Sequence, residues 1–136
     1  MLKILSVKKF GTNLKATIQS TGKLGFSGAT AVVLELASHT HVRFALEDET
    51  SGILYLAVMP GVDEDGFKLM QSGGYYSINT RPLFDALQVD YKNRTVIYDL
   101  QRDAAKDEEM GGKTYRMEPR YLPRREGEDG TPISMP

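Results

Sequence analysis

One stretch near the middle of the chain decides the fold: Gly73-Gly-Tyr-Tyr-Ser-Ile-Asn-Thr-Arg-Pro-Leu-Phe-Asp-Ala-Leu-Gln-Val-Asp-Tyr-Lys-Asn-Arg-Thr-Val-Ile-Tyr-Asp-Leu100. Bulky residues after the paired glycines predict a strand. Asn79 and Thr80 can then cap a short helix whose first turn tolerates Pro82. The apolar stripe of this helix consists of Leu83, Phe84 and Leu87. Because so short a helix is unstable alone, we expect the stripe to pack on a sheet.

Segments of strand character surround this unit. Alternating or apolar runs predict strands at 2–10, 14–20, 23–26, 42–48, 53–59 and 67–71. Ser27 can cap a second helix, from Ala29 to Leu36, with Val32, Val33 and Leu36 on its apolar side. The sequence therefore predicts an α+β fold, namely a mostly antiparallel sheet or small barrel of about seven strands with two short helices and an extended C-terminal tail.

The chain divides by composition. Residues 1–100 are expected to form one compact domain, in which 22–47 and 75–100 share the order strand, capped helix, polar turn, strand. This similarity indicates an internal repeat, or else two ordinary segments of coincident spacing. Residues 101–118 predict a linker and a final strand. Residues 119–136 contain four prolines and no apolar period, and are expected to be an extended or disordered tail.

Composition limits the class of protein. A chain of 136 residues fits one domain. The absence of cysteine excludes disulfides and thiolate metal sites. No apolar run approaches the ~20 residues of a membrane helix, and the N-terminus lacks the order of a signal peptide. These features predict a soluble, cytoplasmic protein without membrane contact.

Charge is unevenly distributed, although the net charge is only −1. Residues 1–34 contain five lysines and no acid, whereas 35–65 contain seven acids and one arginine. A basic β face with strand aromatics can bind phosphates and stack on bases. The candidate nucleic-acid contacts are Lys8, Lys9, Lys15, Lys23, Tyr75, Tyr76 and Arg81. Alternatively, the lysines are the solvent side of half-exposed strands, one tyrosine belongs to the core and the other covers a sheet edge.

No pattern indicates catalysis. His39 and His41 lack a third clustered ligand. The acidic run Asp63–Gly66 lacks the spaced oxygens and closing glutamate of a calcium loop. Phosphate-loop and nucleophile-elbow motifs do not occur. We therefore expect no enzyme activity, no cofactor and no metal.

The segment Gly22-Lys-Leu-Gly-Phe-Ser-Gly-Ala-Thr-Ala-Val-Val-Leu-Glu-Leu, followed by His41-Val-Arg-Phe, resembles the AbrB/SpoVT/MazE swapped-hairpin family. The likeness covers about 25 residues, and the family's Ile-Pro opening and Gly-Asp turn are absent. The resemblance implies an interleaved barrel that binds DNA through a β face, with Lys15 and Lys23 as contacting residues. Two copies in one chain would imitate the family's dimer.

Two functions follow as hypotheses. The first is a non-enzymatic nucleic-acid-binding or regulatory module that uses the basic β face. The second is a structural component, for example of a phage, a mobile element or another multi-subunit particle. There the C-terminal tail would bind neighbouring subunits, and the chain is expected to form a homo-oligomer. The tail's candidate anchors are Tyr121, Leu122, Ile133 and Met135.

Overall fold

The chain forms a closed β-barrel in a computed structural model that describes Leu2 and residues 14–37 and 40–123. In chain order the elements are β1 (Leu14–Ile18), β2 (Leu24–Phe26), α1 (Gly28–Leu34), β3 (His41–Leu46), β4 (Leu54–Val58), β5 (Phe67–Ser72), β6 (Tyr75–Ile78), α2 (Arg81–Ala86), β7 (Arg94–Arg102), a 3₁₀ turn (Ala104–Lys106), α3 (Asp107–Met110) and β8 (Lys113–Pro123). All pairings are antiparallel. The predicted small α+β barrel is confirmed, with eight strands and three short helices in these ranges. The predicted strand at 2–10 lies largely outside them.

Strand order reveals two interleaved halves. Around the barrel the order is β1-β2-β6-β5-β3-β4-β8-β7. When each strand is exchanged with the strand four places away in the chain, the set of neighbours stays the same. Each half is therefore a β-β-α-β-β unit that contributes strands to both sides of the barrel. The predicted repeat, 22–47 and 75–100, falls on the equivalent segments β2-α1-β3 and β6-α2-β7.

Two of the helices, α1 and α2, cover opposite ends of the barrel. Because β2 and β6 are antiparallel neighbours, the connections that follow them leave at opposite ends. At one end α1 buries Thr30, Ala31 and Leu34. At the other end α2 buries Phe84, whose ring stacks on Tyr98 with centroids 6.0 Å apart. Leu83 and Leu87 are half-buried, so the stripe predicted on this helix does face the sheet.

The apolar side predicted for the first helix is wrong in part. Val32 and Val33 are 77% and 50% exposed, whereas Leu36 is buried beyond the helix end. The helix stops at Leu34 because Glu35 takes a left-handed conformation, with φ 58°. The stripe that packs on the barrel is instead residues 30, 31 and 34. Ser27 caps this helix as predicted, accepting a hydrogen bond from the Thr30 N–H at 3.3 Å.

Thr80 occupies the equivalent position before α2 but works differently. Its side chain makes no cap hydrogen bond. The buried hydroxyl accepts from the Leu24 N–H at 3.0 Å and donates to the Gly22 carbonyl at 2.9 Å. Thr80 therefore joins the start of α2 to the β1–β2 hairpin.

The barrel interior follows the alternation of the strands. Inward residues of all eight strands form one apolar cluster, for example Ile18, Leu24, Val42, Leu56, Leu69, Ile78, Val96 and Met117. Tyr91 and Tyr98 are also almost fully buried. The Tyr91 hydroxyl donates to the Asp85 carboxylate, which raises the pKa of Tyr91.

The predicted linker and tail need correction. Strand β7 continues to Arg102, and α3 then packs on β8 where a linker was expected. Strand β8 runs to Pro123 in register with β7, so residues 119–123 are barrel wall rather than tail. Proline is tolerated at positions that need no ladder N–H. Residues 124–136 lie outside the described ranges. Among the helices that the structure describes, none is long and apolar enough to cross a membrane.

Candidate nucleic-acid interface

Tyr75 lies across the backbone of β2 on the outer surface of the barrel. Tyr75 and Gly25 both point outward, and a side chain at Gly25 would overlap the Tyr75 hydroxyl. Gln19 Nε2 donates to that hydroxyl at 2.9 Å. The ring is held in place, and Tyr75 remains 39% exposed. A fixed ring on a flat β surface is a platform on which a base can stack.

Two lysines flank this platform on the β1–β2 hairpin. Lys15 points outward from β1, and Lys23 lies in the turn, where its carbonyl accepts from the Gln19 N–H at 2.8 Å. Both lysines are exposed, and neither forms an ion pair with another residue in the described ranges. They are positioned to neutralise phosphates beside a stacked base.

Arg81 is near the same hairpin because a glycine allows it. Gly22 has a φ of 91°, and a Cβ there would lie 2.8 Å from the Arg81 Cβ. The guanidinium is 3.7 Å from the Asp85 carboxylate, one helical turn on, and both side chains are about half exposed. Arg81 therefore adds less free positive charge to this surface than either lysine.

Tyr76 does not belong to the surface where it was predicted. It points inward from β6 and is half-buried against the core. Adjacent strand residues face opposite sides, so a pair of neighbouring tyrosines cannot share one face. Lys8 and Lys9 lie outside the described residues.

The predicted basic face is limited to the hairpin. Lys15 is opposite Asp99 of β7, and Arg120 of β8 binds this aspartate at 2.5 and 3.1 Å. Further along β8, Arg116 and Glu118 form a second pair at 3.2 Å. The outer face of β7 and β8 therefore alternates in sign, whereas the hairpin presents lysines without acids.

The predicted tail anchors are divided by the structure. Tyr121 lies in β8, with the Arg94 guanidinium 4.4 Å from its ring centroid, and it is 40% exposed. Leu122, on the outer face, is 41% exposed. Ile133 and Met135 lie outside the described residues.

The described residues contain no group of three or more His, Asp or Glu side chains arranged to hold a metal. His41 begins β3 opposite Lys68, and His39 is not described. The acidic loop has a structural role, because Arg43 binds both carboxylate oxygens of Asp63 at 2.9 and 3.0 Å. These charge-assisted bonds lower the pKa of Asp63.

Sequence reasoning missed a groove at the α2 end of the barrel, between the β3–β4 hairpin and the residues after α2. Its lining comes from segments far apart in the chain, including Leu46, Val89 and Tyr121. No local pattern in the sequence marks the groove, because it forms only where the β3–β4 hairpin and residues 86–89 come together in the fold.

Comparisons with protein-family models, curated proteins and solved structures find no match for the chain. The resemblance of residues 22–36 and 41–44 to the swapped-hairpin family therefore stays a prediction, and the function is inferred from the geometry alone.

Proposed function

We propose that this barrel is a non-enzymatic module that binds single-stranded nucleic acid on the surface formed by Lys15, Gln19, Lys23, Gly25 and Tyr75, the hairpin platform. The observation that carries the proposal is the Tyr75 ring, fixed over Gly25 by Gln19 and flanked by two lysines without ion-pair partners in the described residues. Stacking on such a ring is tolerant of base identity, so we expect little sequence preference.

The charge of the platform sets the expected salt dependence. Because the whole chain carries a net charge of −1, attraction to phosphate is local. Lys15 and Lys23 contact about two phosphates, and for single strands the slope of log K against log salt is then about −1.4. A much steeper slope would place the binding surface elsewhere.

The test is an anisotropy titration of the full chain with a labelled oligothymidine in low salt. Tyr75→Ala is expected to weaken binding by about tenfold, the loss of one stacked base, whereas Tyr75→Phe retains the ring and the affinity. Tyr121→Ala is the matched control, because Tyr121 is equally exposed at a different site. Absence of binding in low salt, or equal affinity of Tyr75→Ala and Tyr121→Ala, would remove the proposal.

For the charges, Lys23→Gln should weaken binding and reduce the salt slope by about 0.7, the release of one counterion. Lys92→Gln is the control, because Lys92 is an exposed turn residue without an ion pair in the described ranges. Equal effects of the two substitutions would mean that the contact is nonspecific.

A second candidate function is assembly into a larger particle through the C-terminal segment. Its support is that Tyr121 and Leu122 are both about two-fifths exposed at the end of β8, immediately before residues 124–136. Absence of oligonucleotide binding in low salt, together with loss of partner binding in Leu122→Lys, would favour assembly over nucleic-acid binding.

A further inference from the structure

The groove at the α2 end has a volume of about 330 Å³ and a partly apolar lining. Leu46 and Tyr121 are 41% and 40% exposed at its mouth, and Leu87 and Val89 are half-buried in its wall. Exposed apolar side chains around a concave site are typical of surfaces that bind a partner.

An open strand edge runs beside this groove. The ladder between β3 and β5 ends at Val42 and Phe67. The odd-numbered residues of β3 direct their backbone hydrogen bonds to β4. This follows from two bonds, in which the Met59 N–H donates to the His41 carbonyl and the Glu47 N–H donates to the Ile53 carbonyl. The backbone groups of Phe44 and Leu46 therefore point to the side that β5 does not reach. No described strand pairs with them there, and such an edge can accept an added strand.

The rim of the groove is acidic. Asp48 and Glu49 line it, and none of the described lysines or arginines does. Asp48 is held in place because the N–H groups of Ser51 and Thr50 donate to its Oδ1 at 2.7 and 2.8 Å, which lowers its pKa. The groove therefore favours an extended partner that carries apolar side chains and positive charge.

We infer that the occupant is residues 2–10 of a second copy of the chain, Leu2-Lys-Ile-Leu-Ser-Val-Lys-Lys-Phe10. This segment contains three lysines, five apolar side chains and no acid, which complements the open edge, the apolar wall and the acidic rim. Leu2 is 94% exposed, so it does not pack on its own barrel. The arrangement is β-augmentation between copies, in which main-chain hydrogen bonds add to side-chain contacts.

The barrel's topology favours a second copy over the chain's own segment. Strand β1 begins at the α1 end, whereas the groove lies at the α2 end. In the order of eight strands, β1 and β3 are four places apart, on opposite sides of the barrel. To reach the groove on its own barrel, the segment of residues 2–10 would have to cross the α1 end and then run along the opposite wall. The length of that wall is about 20 Å for a six-residue strand. A head-to-tail contact between copies needs no such path.

The binding test uses the full chain and a fluorescein-labelled peptide of residues 1–10. We expect saturable binding by anisotropy, weakened about tenfold by Leu46→Lys and by Glu49→Lys because each introduces a cation beside the peptide's lysines. Val32→Lys is the matched control, since Val32 is exposed on α1 at the opposite end of the barrel. A peptide of scrambled order should bind about tenfold more weakly. Equal binding of the scrambled peptide, or no effect of Leu46→Lys, would overturn the inference.

The assembly test is sedimentation velocity across a concentration series. The average mass of the full chain should rise with concentration, excess peptide should return it to that of a monomer, and Leu46→Lys should remain monomeric. A wild-type mass that is independent of concentration, as expected if each chain filled its own groove, would overturn the inference. Because Leu46 is already exposed, its replacement by lysine should leave the circular dichroism spectrum unchanged. Neither test contains nucleic acid, so their outcome is independent of the proposed function.

Discussion

The two halves of the barrel meet at two equivalent strand pairs, β1–β7 and β5–β3, and these ladders differ in length. Where the second half meets the first, β1 pairs with β7 along its whole length, from Leu14 to Ile18. At the equivalent junction, β5 pairs with β3 at only two positions, His41 and Val42. If the ladder continued in the same register, Phe44 would pair with Asp65. Asp65 lies instead in a turn, in which the Gly66 N–H donates to the Asp63 carbonyl. One junction is therefore closed and the other leaves half a strand edge exposed.

This difference shows how a symmetric topology can carry an asymmetric site. The acidic loop, held to Arg43 through Asp63, ends the ladder early and exposes the β3 edge. The groove lies at the same end of β3, with Leu46 common to the groove and the exposed edge, and the equivalent edge in the other half is covered by continuous β1–β7 pairing. The groove proposed to bind a second copy therefore lies where the two halves differ, not where they match.

The largest expected effect concerns α1 and α2, the helices that cover the two ends of the barrel. Phe84 in α2 is fully buried, and its positional equivalent in α1 is the much smaller Ala31, so α1 depends on Leu34 instead. Phe84→Ala should lower the free energy of unfolding by about 4 kcal/mol and Leu34→Ala by about 3 kcal/mol. Urea denaturation at constant m-value measures both. If Phe84→Ala does not fold, Phe84→Leu should still cost about 1 kcal/mol. A smaller loss of unfolding free energy for Phe84→Ala than for Leu34→Ala would mean that the packing of α2 contributes less to stability than that of α1.

A smaller effect separates the two cap positions. Thr80→Val leaves the buried Leu24 N–H and Gly22 carbonyl without their partner, which should cost about 2 kcal/mol. Ser27→Ala removes an exposed cap of α1 and should cost about 1 kcal/mol. Thr80→Ser keeps the hydroxyl and serves as the control in the same denaturation series. Equal losses at the two positions would indicate that Thr80 acts as an ordinary cap.

The smallest effect is in the connection between β7 and β8, which is longer than the β3–β4 turn. Arg102 donates to Asp107 at 2.6 and 2.7 Å, and the Thr114 N–H donates to it at 2.9 Å. These bonds hold the pKa of Asp107 at about 2, below its ordinary 3.8. A lowered carboxyl pKa stabilises the fold above pH about 4, and that contribution is lost as pH falls through about 2.

The corresponding measurement is the urea midpoint at pH 5 and pH 2. The wild-type midpoint should fall more over this interval than that of Asp107→Asn, which has lost the ionisable group. Glu109→Gln, on the same helix, should behave as the wild type. A wild-type pH dependence that is unchanged by Asp107→Asn would contradict the role of the pair.

Local signals predicted much of the fold. Pro82 and the stripe around Phe84 locate α2, and alternating runs locate most strands of the barrel, whereas Thr80 precedes α2 without capping it. The face of α1 was predicted wrongly because Ala31 and Thr30 carry less apolar surface than Val32 and Val33, yet the barrel end accommodates the smaller side chains. The space available at the end of the barrel determines which face of α1 packs inward, and the sequence does not show that space.

The site was less predictable than the fold. Tyr75 and Lys23 were proposed from residue type, but the reason that Tyr75 is fixed, the missing side chain at Gly25, depends on the β2–β6 register. Register is a long-range property, and a shift of one residue would turn Tyr75 inward and Tyr76 outward. The groove depends on the same kind of information, because its lining comes from segments that are far apart in the chain.

Amide hydrogen exchange measured residue by residue on β3 tests the central claim of an open junction. In the full chain, kept at a concentration where sedimentation shows a monomer, Phe44 and Leu46 should exchange about a hundredfold faster than Arg43 and Ala45, whose amides bond to β4, since unpaired edge amides lack protection. Val96 and Tyr98, in the continuous β1–β7 ladder, should be as slow as Arg43. Equal protection of Phe44, Leu46 and their β7 counterparts would show that the β3–β5 junction is closed like the β1–β7 junction.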